Sequence, residues 1–280
     1  MFKIKCSSIS CMSESLKQSV AISGSNGFVG KNLLKFLTNK KLKCTPISRS
    51  IFQETKPPLV SKCFCFVHLV GLGNETKDAS FEQVNVDMTK KVIDICKKSK
   101  IKKIIYFSGL GVSSKSTSNY FISKFKAERL IIKSGLDYTI FRPSYIIGKD
   151  DYLTKNLQKQ IKKKKIIIPG TGSYIIQPIS IKDVCNVMYF AINSTNFSKK
   201  IIDLVGPEKI TFRQFIKNST RNSKTEIEKI PLKKSLDSVL YDKKFPYGIE
   251  DLNILFGNFE GNHDKLKKIS KIEFTKIKSI

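Results

Sequence analysis

Ser19-Val-Ala-Ile-Ser-Gly24, running directly into Ser25-Asn-Gly-Phe-Val-Gly30, is the stretch that decides the fold. A short apolar run enters a glycine turn, and Val29, Leu33, Leu34 and Leu37 then recur at helical spacing through Lys31 to Lys40. A second strand-like run, Lys43-Cys-Thr-Pro-Ile-Ser48, completes a βαβ unit of about 30 residues. The glycines stand three apart, at Gly24, Gly27 and Gly30. Gly24 permits a tight exit from the strand, Gly27 lets backbone approach a pyrophosphate, and Gly30 lets the helix pack on the sheet. The start of the helix offers unpaired N–H groups and the positive end of its dipole to phosphates. Set between strand and helix, the turn predicts dinucleotide binding through Gly24, Asn26, Gly27, Phe28, Val29 and Gly30.

The second strand ends in Ser48-Arg49-Ser50. An acidic residue there would accept bonds from the adenosine ribose 2′-hydroxyl, whereas Arg49 with flanking hydroxyls suits a 2′-phosphate, so NADP is favoured over NAD. Pro57-Pro58 argues against a helix before the next strand, Cys63-Phe-Cys-Phe-Val-His-Leu-Val70, whose near-continuous apolar character fits burial on both faces. Val70 and Gly71 at its end are further cofactor candidates.

Phe81 to Ser99 reads as a helix with Val84, Met88, Val92, Ile95 and Cys96 on one face. Lys103 to Ser108 is a strand, Tyr120 to Ser134 a helix closed by Gly135, and Leu136 to Phe141 a strand ending in Arg142-Pro143-Ser144. Alternation of this kind predicts an α/β doubly wound parallel sheet of Rossmann type. The expected division is a flexible tail over 1–17, a dinucleotide-binding core over 18–148 with 178–195 returning to it, and a small C-terminal lobe with a basic tail from 149–177 and 196–280.

Composition narrows the partners. The chain has 280 residues, 51 Lys+Arg against 23 Asp+Glu, and a net charge of +28. The excess is nearly all Lys and is spread along the chain, a pattern that goes with an AT-rich genome more readily than with a nucleic-acid site, where Arg and aromatics cluster on one face. No specific nucleic-acid partner is expected, although such a charge draws the chain towards anionic lipid surfaces. No apolar run reaches the roughly 18–20 residues of a spanning helix. Seven cysteines without a C-x-x-C pair, and only His68 and His263 beside them, predict buried thiols in a reducing, cytoplasmic or matrix-like compartment, and no metal site. Cys63 and Cys65 are expected on the same face of their strand.

Tyr120-Phe-Ile-Ser-Lys124 places a phenol and an amine four apart, on one helix face. An ammonium there lowers the phenol's pKa, so Tyr120 can pass a proton at a carbonyl or hydroxyl while Lys124 holds ribose hydroxyls. With the glycine turn upstream and Arg142-Pro143-Ser144 downstream, the chain resembles the short-chain dehydrogenase/reductase superfamily in its extended or atypical branch. Phe107-Ser-Gly-Leu-Gly111, Arg142 to Gly148, Gln177 to Asp183 and Val205-Gly-Pro-Glu208 follow in order, as in the subgroup of the dehydrogenase-like accessory subunit of respiratory complex I. Relatives of that subgroup include NAD-dependent epimerases and dehydratases. The resemblance spans roughly residues 18 to 270.

It implies Tyr120 and Lys124 as catalytic residues, with Ser108 and Pro143 beside the cofactor. Two departures stand out. Active extended members carry Ser or Thr where this chain has Leu110. The stretch between Ser48 and Cys63 also lacks room for the usual extra strand and helix, so a sheet one strand shorter is expected. An extended connection still reaches, at about 3.3 Å per residue over about 20–30 Å. Two functions follow as expectations. One is a dinucleotide-bound protein of weak or no turnover, structural or regulatory in a membrane-associated redox assembly. The other is an active NADP-dependent reductase or nucleotide-sugar epimerase acting through Tyr120 and Lys124 on a small carbonyl compound or nucleotide sugar. A nucleotide-sensing regulator that binds a partner protein is a third expectation.

Overall fold

The computed structural model describes residues 19–48, 52, 60 and 62–280. The tail over 1–17 and Arg49 lie outside them.

The first strand, β1 (Ser19–Ser23), is buried along its whole length and leads through the glycine turn into α1 (Phe28–Asn39). Then come β2 (Cys44–Ile47), β3 (Cys63–His68), a π-helical turn (Glu82–Asp87) continuing as α2 (Met88–Lys98), β4 (Lys103–Phe107), α3 (Asn119–Lys133) and β5 (Asp137–Pro143). Beyond them lie β6 (Ile146–Ile147), α4 (Tyr152–Lys162), β7 (Lys165–Pro169), β8 (Ile175–Ile176), β9 (Ile179–Ser180), α5 (Ile181–Asn193) and β10 (Lys200–Leu204). The chain continues through β11 (Ile210–Thr211), α6 (Phe212–Ser219), β12 (Glu226–Ile230), α7 (Leu232–Tyr241), α8 (Ile249–Phe256) and α9 (His263–Ser270).

Six strands form one parallel sheet in the order β10-β5-β4-β3-β1-β2. Among the described residues β2 is its edge, and Pro46 in that strand is tolerated because an edge position leaves no ladder donor to lose. The strand order reverses between β1 and β3, the place where parallel open sheets hold their ligands. On one face Leu33 and Leu37 of α1, Val184 and Met188 of α5 and Leu266 of α9 share a core with Val20, Ile22 and Val67. Full burial of such side chains contributes roughly 1.5–3 kcal/mol each. On the other face Val92, Ile95 and Cys96 of α2 and Ala127 and Ile131 of α3 pack on Ala21, Phe66 and Ile104. A third core, around Leu157, Ile166, Phe215 and Leu252, holds the lobe together. There β7 pairs in parallel with β12 and β8 antiparallel with β11. Helices start where the sequence supplies a cap: Thr211 accepts from the Gln214 N–H, and Asp151 caps α4 in the same way.

Three local readings are corrected. Cys63 and Cys65 pack on opposite faces, because the pairing of β1 with β3 slips between Ser19 and Val20, and two residues of β3 oppose one step of β1. The helix expected from Phe81 carries the π-helical turn instead. The extra residue rotates the helix, so Asn85, Val86 and Thr89 are buried where Val84 and Met88 had been expected. The stretch 196–280 does not all belong to the lobe: β10 is the sixth strand of the sheet, and Leu266 of α9 is fully buried against it. Beyond α9 the backbone N–H of Thr275 donates to Asp183 Oδ2 of α5 at 2.7 Å, and the N–H of Ile280 donates to Ser219 Oγ of α6 at 3.1 Å.

Candidate active site

Gly24 has φ +75°, a left-handed conformation that a side chain would strain. A Cβ there would also meet the backbone of Leu69 and Val70 at 2.9 Å. The turns after β1 and β3 are thus pressed together at the switch point, with Val70 buried and Gly71 exposed beside them. A Cβ on Gly30 would run into the carbonyl oxygen of Gly24. Gly30, in the first turn of α1, thus lets the helix close on the residues that follow β1. Gly27 differs: a Cβ would have only the Gly24 carbonyl oxygen nearby, at 3.3 Å, so the fold leaves open space above it. Gly27 is the N-cap of α1 and gives no side-chain cap, so the first N–H groups stay available to an anion. Asn26 is exposed next to it.

Tyr120 and Lys124 sit one turn apart at the start of α3. The Tyr120 hydroxyl lies over Gly109, where a Cβ would come within 3.1 Å of it. Its ring packs edge-on against Phe81 and Phe121. The Lys124 side chain is buried, and its Nζ donates to the Phe107 carbonyl at 3.1 Å and lies 5.1 Å from the centre of the Tyr106 ring. It also passes under Gly71, where a Cβ would meet Nζ at 2.7 Å. Burial, partly opposed by Glu128, brings the Lys124 amine down to about 8. The phenol of Tyr120 is pushed up to about 12, first by burial and then by the Glu250 carboxylate. The expected lowering of the phenol by the ammonium is therefore absent: the amine is engaged by the Phe107 carbonyl, and desolvation dominates at the tyrosine.

Asn85 was missed from the sequence. The π-helical turn drives it inward, where its Oδ1 accepts from the Leu72 N–H at 2.9 Å and its Nδ2 donates to Ser123 Oγ at 2.9 Å. It joins the turn after β3 to the helix bearing Tyr120 and Lys124. Only the insertion of one residue into a helical pattern could have signalled it.

A cavity of about 370 Å³ opens where the core meets the lobe. Phe28, Val29, Ser108, Tyr120 and Pro143, scattered through the sequence, all line it, and so does Leu110, 9% exposed. Ser113 and Ser114, the nearest other hydroxyls in that loop, are exposed to solvent. Ser108 Oγ is buried without a hydrogen-bond partner. That orphaned hydroxyl and the open space over Gly27 fit a dinucleotide laid across the switch point. Among the described residues no cluster of three His, Cys, Asp or Glu stands ready for a metal, and no helix is long and apolar enough to cross a membrane.

Residues 64–194 match the family model described as NAD(P)H-binding. With the parallel sheet and glycine turn, this gives the chain a stretch similar to NAD(P)H-binding domains, set in the fold of short-chain dehydrogenase/reductase and nucleotide-sugar epimerase structures. More particularly, its relatives include NADH dehydrogenase (ubiquinone) 1 alpha subcomplex subunit 9, mitochondrial, of Arabidopsis thaliana, 28% identical over 162 residues. That alignment covers 57% of this chain and 40% of the relative, so the match spans about two fifths of the plant protein. Prestalk A differentiation protein A of Dictyostelium discoideum is 24% identical over 92% of this chain and 87% of its own length. Among solved structures, a nucleoside-diphosphate-sugar epimerase of Staphylococcus aureus superposes with a TM-score of 0.70 at 14% identity, covering 93% of this chain and 98% of the other. RMD from Pseudomonas aeruginosa, complexed with NADPH, gives a TM-score of 0.67 at 15% identity over 93% of this chain and 95% of the other. At such identities the likeness is one of fold.

Proposed function

We propose that this chain binds a dinucleotide, NADP in preference to NAD, and turns it over slowly or not at all, as a structural or regulatory component of a membrane-associated redox assembly. One observation carries the reading: Leu110 lines the cavity beside Tyr120 at the place where active members supply a hydroxyl. When bound, the nicotinamide supplies hydride chemistry. Tyr120 stands as proton donor, Lys124 holds ribose hydroxyls, Gly24 to Gly30 receive the pyrophosphate, and no residue at position 110 orients a reacting oxygen. Absence of one such hydrogen bond lowers a rate by roughly 100- to 1000-fold. The phenol, held up at about 12, keeps its proton at neutral pH and makes a poor base. The relationship to mitochondrial NADH dehydrogenase subunits supports the assembly half of the proposal.

The test is calorimetry with NADPH and NADH, followed by NADPH oxidation assays against small ketones, aldehydes and nucleotide sugars. Tight cofactor binding with undetectable oxidation is expected, and Leu110→Ser should raise the rate. Arg49→Ala should weaken NADPH more than NADH. Brisk oxidation by the unaltered protein, abolished by Tyr120→Phe, would overturn the reading in favour of an active reductase or epimerase, which the spacing of Tyr120 and Lys124 favours.

A further inference from the structure

We infer that the cavity beside Tyr120 takes an uncharged, largely apolar molecule carrying carbonyl or hydroxyl oxygen, and excludes nucleoside-diphosphate sugars. This inference rests on the dinucleotide reading, because it takes Tyr120 and Ser108 as the inner end of the site. The walls are apolar: Leu110, Phe121, Ile175, Ile176, Leu255 and Phe259 supply much of them. In a chain with 51 Lys and Arg, no Lys, Arg or His among the described residues lines the cavity. Its charged lining side chains are two carboxylates, Asp151 and Asp251.

Both carboxylates are already engaged. Asp151 accepts from the backbone N–H of Gly148 at 2.9 Å and of Thr154 at 2.8 Å. Asp251 Oδ2 accepts from the Gly248 N–H at 2.7 Å and the Tyr152 hydroxyl at 3.0 Å. Both are held in place at helix starts, and both repel a diphosphate. Asn156 is also engaged, its Nδ2 donating to the Pro246 carbonyl at 2.6 Å and its Oδ1 accepting from Gln160 at 2.9 Å. What remains on the wall is four hydroxyls without a hydrogen bond among the described residues: Ser108 Oγ, buried, and those of Tyr120, Ser144 and Tyr145. A few uncharged hydroxyls set in apolar walls recognise carbonyl or hydroxyl oxygen on an apolar body. Lys155, Lys159, Lys163 and Lys244 line a separate groove that shares Tyr152 and Asn156 with the cavity, and these lysines are exposed to solvent. An anionic group could reach them only by lying outside.

The experiment uses NADPH-saturated protein and three probes: geranylacetone, an uncharged ketone; geranyl diphosphate, with the same apolar chain but a diphosphate; and UDP-glucose. Calorimetry should give a Kd for the ketone at least tenfold tighter than for either charged probe. Ile175→Arg and Ile254→Arg, at partly exposed positions in the wall, should each weaken the ketone at least tenfold while leaving NADPH affinity unchanged. UDP-glucose or geranyl diphosphate binding as tightly as the ketone, absence of ketone binding, or indifference of the ketone to both variants would overturn the inference. Repeating the ketone titration without NADPH separates the two readings: failure of NADPH to bind the unaltered protein counts against the dinucleotide proposal alone.

Discussion

Arg142 and Glu128 close a two-bonded ion pair, Nε to Oε1 at 2.8 Å and Nη2 to Oε2 at 2.6 Å. The pair joins β5 to α3, and Glu128 stands one turn beyond Lys124 and two beyond Tyr120. The carboxylate side chain is 1% exposed and the guanidinium side chain 23%. Planar two-bonded geometry fixes the rotation of α3 about its axis as well as its distance from the sheet. Removing the carboxylate strands a partly buried cation. Glu128→Ala should cost about 2–3 kcal/mol in denaturant unfolding, below the cost of breaking a fully buried pair because the arginine still sees water. Joint replacement by Glu128→Leu and Arg142→Met should recover most of that loss. Equal loss in single and double variants would show that the pair itself is not what matters.

The three glycines of the first turn should separate into folding and binding positions. Gly30→Ala drives a methyl group into the Gly24 carbonyl and should lower stability by about 1–3 kcal/mol. Gly27→Val meets nothing but that oxygen at 3.3 Å, so the thermal midpoint should hold while NADPH binding is lost. Circular dichroism melts beside calorimetry read both. Undiminished NADPH binding by Gly27→Val would remove the turn from the cofactor site.

Lys124 sets two opposite pH trends. Its amine titrates near 8 in the folded protein, against an ordinary 10.5. Between those values the unfolded chain holds more protons, so the cofactor-free protein should gain stability as pH rises from 8 to 10.5. NADPH affinity should fall over the start of that range, as the charge facing the ribose is lost. Lys124→Met should flatten both curves. An affinity that does not change between pH 7 and 9 would place the amine away from the cofactor.

His68 makes the core acid-sensitive. Thr89 Oγ1 gives its proton to the Asn85 carbonyl at 2.6 Å, so it accepts from His68 Nε2 at 3.2 Å, and His68 Nδ1 accepts from Ser23 Oγ at 2.8 Å. A second ring proton would require the Ser23 hydroxyl to reverse its bond. Burial first, and then Lys124, hold the ring's pKa down at about 3, against 6.5 in an exposed histidine. The unfolded chain therefore binds the extra proton between those values, and stability is lost as pH falls through them, by up to about 1.4 kcal/mol per pH unit. His68→Gln should be less stable at pH 7 and show a shallower decline toward pH 4. Parallel declines would assign the acid sensitivity to other groups.

The parts of the fold legible in the sequence are those where local pattern and tertiary packing agree. The strand, glycine turn and helix from Ser19 to Asn39 share one period change, and Tyr120 and Lys124 are set by helix geometry alone. Cys63 and Asn85 were read wrongly or missed because each depends on one inserted residue, which leaves composition unchanged while turning a side chain to another face. The return of α9 to the sheet was hidden in a Lys-rich stretch, where Leu266 is buried and Ile269, Ile272 and Phe274 pack beside it. The high phenol pKa of Tyr120 was out of reach for another reason: spacing reports which groups are near, whereas desolvation depends on everything else that covers them.

The segment beyond α9 gives the cleft a mechanical character. It bonds Asp183 on the core and Ser219 on the lobe, and so crosses between the two walls of the cavity as a tie-rod. Widening the cleft must stretch or release these two bonds, made by residues that do not line the cavity. Opening of the cleft is thereby restrained from residues 275–280, which stand apart from the cavity lining.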